Sequence, residues 1–332
     1  MHLTAYSKTL WKIARPRTLI LIALHGVLGY VFLTKQAPDT MAAVLCVVAM
    51  VCAYMHAVAV NDISDEVVDA LNRKQLAQDN DRPLLDRTVT TKQLWLLSHG
   101  IAAAWLIVSF CVGWQLLVVT MVLIILNFIY SLPPWRLSYR GVLAQLFLPL
   151  MYVAYPLFMA ALLAHTVTIA YFFLGLSLYV LFVGRLFLKD IRDEKGDAEA
   201  GKRTFLVRHG LKRTVWCAAA CIIVGSIGVT AVVTVSIGLS VLPPVCLAAV
   251  IGISHVSRNC LRQKRLALQL LDVAVIGRMV SMVIFVALVA IVAVSYGSLN
   301  TLQVTAIELA AVAVFLFGII GLYEERRATK KA

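Results

Sequence analysis

The stretch Asp62-Ile-Ser-Asp-Glu-Val-Val-Asp69 (DISDEVVD) closes one long apolar run, and Asp190-Ile-Arg-Asp-Glu-Lys-Gly-Asp197 (DIRDEKGD) closes another. The two octapeptides share Asp, Ile, Asp, Glu and Asp at offsets 0, 1, 3, 4 and 7. The runs that precede them set the fold. The chain has 332 residues, 61% hydrophobic and only 14% charged, whereas a soluble domain carries about 25% charged residues. The apolar residues fall into blocks of roughly 20, the length that spans the hydrocarbon of a bilayer. A single large soluble core does not predict that segmentation. The expectation is an all-α, polytopic integral membrane protein.

Ten spans can be marked, at 18–34, 40–60, 93–112, 114–131, 141–163, 167–188, 214–236, 239–256, 272–295 and 303–323. Basic residues orient them, because cytoplasmic loops are enriched in Lys and Arg. With the N-terminus in the cytoplasm, the tails, the loops 61–92, 132–140, 189–213 and 257–271, and Arg185 at the end of span six hold all of the 30 basic residues except Lys35 and Arg278. Both termini and the two octapeptides then share the cytoplasmic face. The net charge of +13 is largely this topology, and it attracts anionic lipid or an anionic substrate to that face. No basic soluble module is present, which excludes nucleic-acid binding. The seven cysteines show no C-x-x-C spacing and read as small packing residues. A basic segment precedes span one without a small-residue cleavage site, so an uncleaved first span is expected.

On a helix, offsets 0, 3, 4 and 7 share one face. Asp62, Asp65, Glu66 and Asp69 would form one acidic stripe, and Asp190, Asp193, Glu194 and Asp197 a second. Like charges at these spacings repel, and the C-terminal end of a helix disfavours acids. Solvated loop acids balanced by Arg73, Lys74, Lys189, Arg192 and Lys195 are one explanation. The repetition argues instead for a missing cation. Oxygen donors without His or Cys suit Mg²⁺, which binds one or two carboxylates, waters and substrate phosphate. Spans two and six run in the same direction, so the repeat is parallel, with spans one to four resembling spans five to eight. Acids at one membrane face suit a polar head entering from the cytoplasm on a lipid tail. A cation-coupled transporter would carry acids near the midplane, and spans three and seven to nine have none.

These residues resemble the UbiA superfamily of intramembrane prenyltransferases. The likeness rests on Asn61-Asp62-x-x-Asp65-x-x-x-Asp69 followed by Arg82-Pro83-Leu84, on YSLPPWRLSYRG from Tyr130 to Gly141, and on Lys189-Asp190-x-x-Asp193-x-x-Gly196-Asp197 followed by Gly201, Thr204 and Gly210. It covers roughly residues 12–295. The stretch between Asp69 and Arg82 is longer than the family pattern, with Asp79 and Asp81 inserted. The resemblance implies a nine-helix bundle around a central cavity, here with a tenth C-terminal span. The implied division is a cytoplasmic segment 1–17, the prenyltransferase domain 18–295, an additional span 296–323 and a cytoplasmic tail 324–332. It implies Mg²⁺ held by Asn61, Asp62, Asp65 and Asp69 together with Asp190, Asp193 and Asp197. Arg82 and Lys189 match positions that hold phosphate oxygens, and Tyr130 an aromatic near the reacting carbon. The partners implied are an isoprenyl diphosphate, an aromatic or lipid-type acceptor and membrane lipid. The same ionisation without an outside acceptor would make the chain a terpene cyclase. His56, His99 and His255 are single in their spans and read as packing or hydrogen-bonded helix contacts.

Overall fold

The computed structural model describes residues 3–36, 39–76, 82–238, 241–295 and 301–331. Among these, nine helical stretches are long and apolar enough to cross a membrane. They are α3 (Thr40–Ser64), α5 (Thr91–Val112), α6 (Trp114–Ser131), the continuous pair α7 (Val142–Pro149) and α8 (Tyr155–Ala164), α9 (Ile169–Lys189), α11 (Phe205–Ile237), α12 (Leu242–Arg262), α13 (Leu266–Ser295) and the segment Thr305–Arg327 of α14 (Thr301–Lys331). A bent pair, Ser7–Ala14 of α1 (Leu3–Ala14) and Thr18–Thr34 of α2 (Pro16–Thr34), makes a tenth if counted as one span, with 58° between its arms. The bend falls at Arg15, φ 40°, because the residue before a proline is pushed out of the α region. Two short helices, α4 (Glu66–Leu76) and α10 (Glu194–Glu199), each follow an acidic octapeptide's break.

The chain forms two compact units. The first comprises Met1–Val27, Pro38–Leu163 and Asp193–Arg208. Its core joins α3, α5, α6 and α8 through Ala53, Leu94, Trp105, Leu116 and Met159. Side chains seed these helices. Asp39 accepts hydrogen bonds from the Met41 and Ala42 amides at 3.0 and 3.1 Å, and Thr90 with Gln93 forms a capping box at the start of α5. Gly113, φ 156°, is the one residue between α5 and α6 and permits that tight reversal. Between α7 and α8 a π-helical turn, Leu150–Ala154, takes up the irregularity imposed by Pro149 and Pro156.

Polarity is inverted relative to a soluble protein. Ser109 and Thr120 are buried and hydrogen-bonded at 2.7 Å, and Asn127 lies 3.0 Å from His56 Nδ1. Ile107, Phe110, Trp114 and Ile125 on the same helices point outward. Small polar groups joining helices and apolar groups facing out are what a hydrocarbon solvent selects. His56 is thereby the packed, hydrogen-bonded group read from the sequence, and His99 contacts the Trp95 carbonyl at 2.7 Å.

The second unit comprises Leu28–Ala37, Ala164–Arg192 and His209–Ala332. In it α9 packs closely on α11, where a Cβ on Gly184 or Gly225 would collide with Ala218 and Ile222 or with Leu181. The last helix docks on α13 through a buried fork: Arg326 Nη1 lies 2.9 Å from Asp272 Oδ1 and Nη2 lies 3.3 Å from Oδ2. Glu308, fully buried, accepts from the Val241 amide at 3.1 Å and so covers the start of α12. The helix runs unbroken past position 324 to Lys331.

The acidic octapeptides differ locally from the sequence reading. Neither lies on one continuous helix. Asp65 ends α3 at φ −101°, ψ 15°, and residues 190–193 form turns before α10. Like charges added to the negative end of a helix explain the breaks.

Candidate active site

The first motif keeps helical register across its break. The Asp65 amide donates to the Asn61 carbonyl and the Asp69 amide to the Asp65 carbonyl, both at 2.8 Å. This register turns Asp62, Asp65 and Asp69 inward, where they are only 3%, 5% and 7% exposed. Asn61 Nδ2 donates to Asp65 Oδ2 at 3.1 Å. Glu66, read from the sequence as part of the same stripe, is instead exposed.

Four cations enclose these acids. Arg15 Nη2, from the bend before α2, lies 2.9 Å from Asp62 Oδ1. Arg82 is shared, with one nitrogen on Asp62 and the other 3.2 Å from Asp69 Oδ1. Arg136 Nη2 lies 3.6 Å from Asp65 Oδ1 and donates to the Ser64 carbonyl at 2.6 Å. Lys202 Nζ lies 3.1 Å from Asp65 Oδ2 and 3.8 Å from Asp197 Oδ1. Beneath two of these cations is the Tyr139 ring, 3.8 Å from Arg136 Cζ and 5.4 Å from Lys202 Nζ.

Lys202 ties the first motif to the second. Asp193 precedes α10, whose Asp197 is 2% exposed and accepts from Asn72 Nδ2 at 3.5 Å. The short helices α4 and α10 pack together at Gly196, where any Cβ would strike the Asn72 side chain and come within 2.9 Å of its backbone nitrogen. A two-residue parallel pairing, β1 (Arg140–Gly141) with β2 (Arg203–Thr204), anchors the connections that carry Arg136, Tyr139 and Lys202.

Of the residues read from the sequence, Asn61, Asp62, Asp65, Asp69, Arg82, Asp193 and Asp197 belong to this unit. Tyr130 does also; it is buried at the end of α6 and stacks on Phe147, with ring centroids 5.7 Å apart. Lys189 and Asp190 belong to the second unit, where Lys189 is exposed and Asp190 half-buried. Asp79 and Asp81 lie outside the described residues. Sequence reading missed Arg15, Asn72, Arg136, Tyr139 and Lys202 as parts of the cluster. Asn72 had a signal: it continues the Asp65–Asp69 stripe by another turn. Arg136 and Tyr139 sit inside the YSLPPWRLSYRG stretch without any spacing that marks them.

Burial pushes the Asp69 carboxyl up to about 7, aided by the like charge of Asp65 and opposed by Lys202 and Arg15. The Arg82 contact does not reverse this, because one guanidinium serves two buried carboxylates. Burial, then Asp65, raises the Tyr139 hydroxyl as well.

The donors fit Mg²⁺. Asp62 Oδ2 and Asp65 Oδ1 are buried and accept no hydrogen bond, which leaves hard oxygen sites turned into the cluster. No three acidic, His or Cys side chains converge as a ready-made metal cage among the described residues. Mg²⁺ does not demand one, since phosphate and water complete its shell.

Comparison with known proteins identifies the family. The model of the UbiA prenyltransferase family matches residues 20–270. Digeranylgeranylglyceryl phosphate synthase of Thermococcus kodakarensis is 27% identical over 249 residues, 74% of this chain and 84% of its own. The synthase of the same name from Pyrococcus horikoshii is 25% identical over 239 residues, 71% and 81% of the two chains. In fold, the chain is similar to a UbiA homologue from Archaeoglobus fulgidus solved with DMAPP and Mg²⁺, at a TM-score of 0.63 and 15% identity, covering 86% of this chain and 99% of that one.

Proposed function

Since the chain belongs to the UbiA prenyltransferase family and is a multi-pass membrane prenyltransferase, we propose that it ionises an allylic polyprenyl diphosphate with Mg²⁺ and transfers the prenyl group to a lipid-type acceptor bearing a glycerol phosphate head. The observation that carries this reading is the meeting of buried acids from both octapeptides with Arg15, Arg82, Arg136 and Lys202. Acids alone would repel a diphosphate, and cations alone would not gather a metal. A balanced cluster can exchange partners, the carboxylates passing to metal and the cations to phosphate oxygens. Mg²⁺, when bound, would neutralise charge building on the leaving diphosphate.

The chain's residues do the rest. Asn61, Asp62, Asp65 and Asp69, with Asp193 and Asp197, would hold the metal. Arg82, Arg15, Arg136 and Lys202 hold phosphate oxygens and stabilise them most as the C–O bond breaks. Tyr130, stacked and buried, presents its ring toward the allylic end, and apolar walls keep water from the cation. The head-group assignment follows the named relatives, whose products are glyceryl phosphate lipids. We place the chain in the cell (inner) membrane, and the basic sorting supports an orientation with the cap and both termini on its cytoplasmic side.

The test is incubation of membranes with labelled geranylgeranyl diphosphate, Mg²⁺ and a panel of glycerol phosphate lipids and aromatic acceptors. The expected product is a prenylated glycerol phosphate lipid with release of diphosphate. A prenylated aromatic would overturn the head-group assignment, and a cyclic hydrocarbon formed without acceptor would replace transfer by cyclisation.

A further inference from the structure

Within the second unit, α9 and α13 line an open cavity of about 410 Å³, with Lys189 and Arg278 at its exposed rim. That lies within the range of ligand sites, roughly 300–1,000 Å³. Three cations line it: Arg185 and Lys189, one turn apart on α9, and Arg278 on α13, with Ser281 a turn further. None of the lining residues is acidic. The remaining wall is apolar, with Leu188 and Ile276 among its residues.

Arg185 is the informative residue. Its Nη1 is buried and has no hydrogen-bond partner; the nearby Phe182 ring, 5.8 Å from Cζ, offers only its face. A buried guanidinium left in that state is costly, and charges at membrane depth pair with something or mark a ligand path. The acid nearest the cavity along α13 is Asp272, and it is committed to the fork with Arg326. Gly318 of α14 leaves the space that the tip of Arg278 occupies, since a Cβ there would collide with Nη1. Three positive groups therefore line a space whose own lining carries no acid.

We propose that this cavity binds the phosphate of a lipid-tailed molecule, the phosphorylated head of the acceptor. Guanidinium forks match phosphate geometry, Ser281 adds a hydroxyl, and the apolar wall takes the first carbons of the tails. Basic pockets between membrane helices are suited to phosphorylated head groups. The inference rests on the lipid phosphate reading above for the identity of the ligand, while the anion site rests on Arg185, Lys189 and Arg278 themselves.

The experiment is a binding titration of the purified full chain in detergent with four probes: short-chain phosphatidic acid, phosphatidylcholine of the same chains, glycerol phosphate, and inorganic diphosphate with Mg²⁺. Phosphatidic acid should bind the wild-type protein about tenfold or more tighter than either phosphatidylcholine or glycerol phosphate. Arg185→Gln and Arg278→Gln should each weaken phosphatidic acid about tenfold, Arg185→Lys should retain most of the affinity, and diphosphate binding should not change. Equal binding by Arg185→Gln overturns the site. Loss of diphosphate binding in that variant makes the cavity the donor's site instead. Equal binding of glycerol phosphate removes the lipid from the proposal, and equal binding of phosphatidylcholine removes the phosphate charge. Prenyl turnover is measured separately. Phosphatidic acid binding without a glycerol phosphate product leaves the site standing and overturns the functional reading, whereas the product without such binding does the reverse.

Discussion

Asp65 shows how a residue's surroundings change what its removal does. Seen only as one acid in a repelling stripe, it should stabilise the protein when deleted. In the fold it accepts from Asn61 and pairs with Lys202 and Arg136, so Asp65→Ala leaves two cations short of a partner. The expected result is a lower melting temperature without Mg²⁺, by about 1–3 kcal/mol of stability, and loss of turnover by about a hundredfold or more. Asp193→Ala should also remove most activity, and the double variant should be little worse than either alone, because the two motifs act as one cluster. Losses that simply add in turnover assays would separate the motifs. Asp69 gives a pH signature. Its folded carboxyl titrates near 7, above the usual carboxylate value of about 4. Stability contributed by the protonated form is therefore present at acid pH and lost as pH rises through 7. In EDTA, Asp69→Asn should melt like wild type near pH 4 and higher than wild type at pH 8. A variant that tracks wild type across that range would deny the buried, strained carboxylate.

At the scale of elements, the docking of α10 on α4 decides whether the two acidic motifs share a site. Gly196 permits that docking because Asn72 occupies the volume a side chain would need. Gly196→Ala should cost about 1–3 kcal/mol by overpacking and reduce turnover at least tenfold through displacement of Asp197. Unchanged activity in a correctly folded variant would show that the close approach is dispensable. The sequence makes these elements only partly legible. Spans such as 114–131 and 141–163 are written in one variable, apolar length, and they lie where that variable puts them. The break at Asp65 depends on balancing repulsion and dipole against hydrogen bonds that continue through it, which spacing cannot weigh. Arg15, Arg136 and Lys202 reach Asp62 and Asp65 across sequence separations of 47, 71 and 137 residues. A basic residue on a loop between spans looks like topology until the loops are folded together. Lys189 reads from the sequence as a cation for phosphate, whereas its place beside Arg185 and Arg278 around one cavity requires the packing of α9 on α13.

At the scale of the whole molecule, the last span is secured by polarity as much as by apolar contact. Phe317 is 80% exposed and Val314 and Leu309 also face outward, while Asp272 and Arg326 lock the C-terminal part of α14 to α13. Asp272→Asn should destabilise this attachment by about 3–5 kcal/mol, because a buried guanidinium loses its counter-charge. Replacing both partners with apolar residues of similar volume should recover much of that loss. The measurement is thermal unfolding in detergent with protease sensitivity of the C-terminal helix, and equal melting of Asp272→Asn and wild type would refute the role of the fork. The first unit, by contrast, closes on itself through residues 193–208, and this has a consequence for synthesis on the ribosome. Arg15 is made before Asp62, Arg82 follows it by only 20 residues, and Lys202 arrives with Asp197. Asp62 thus has its counter-ions soon after its own synthesis, whereas Asp65 waits for Arg136 and Lys202, and the complete set of acids and bases has been synthesised before the last four spans are translated.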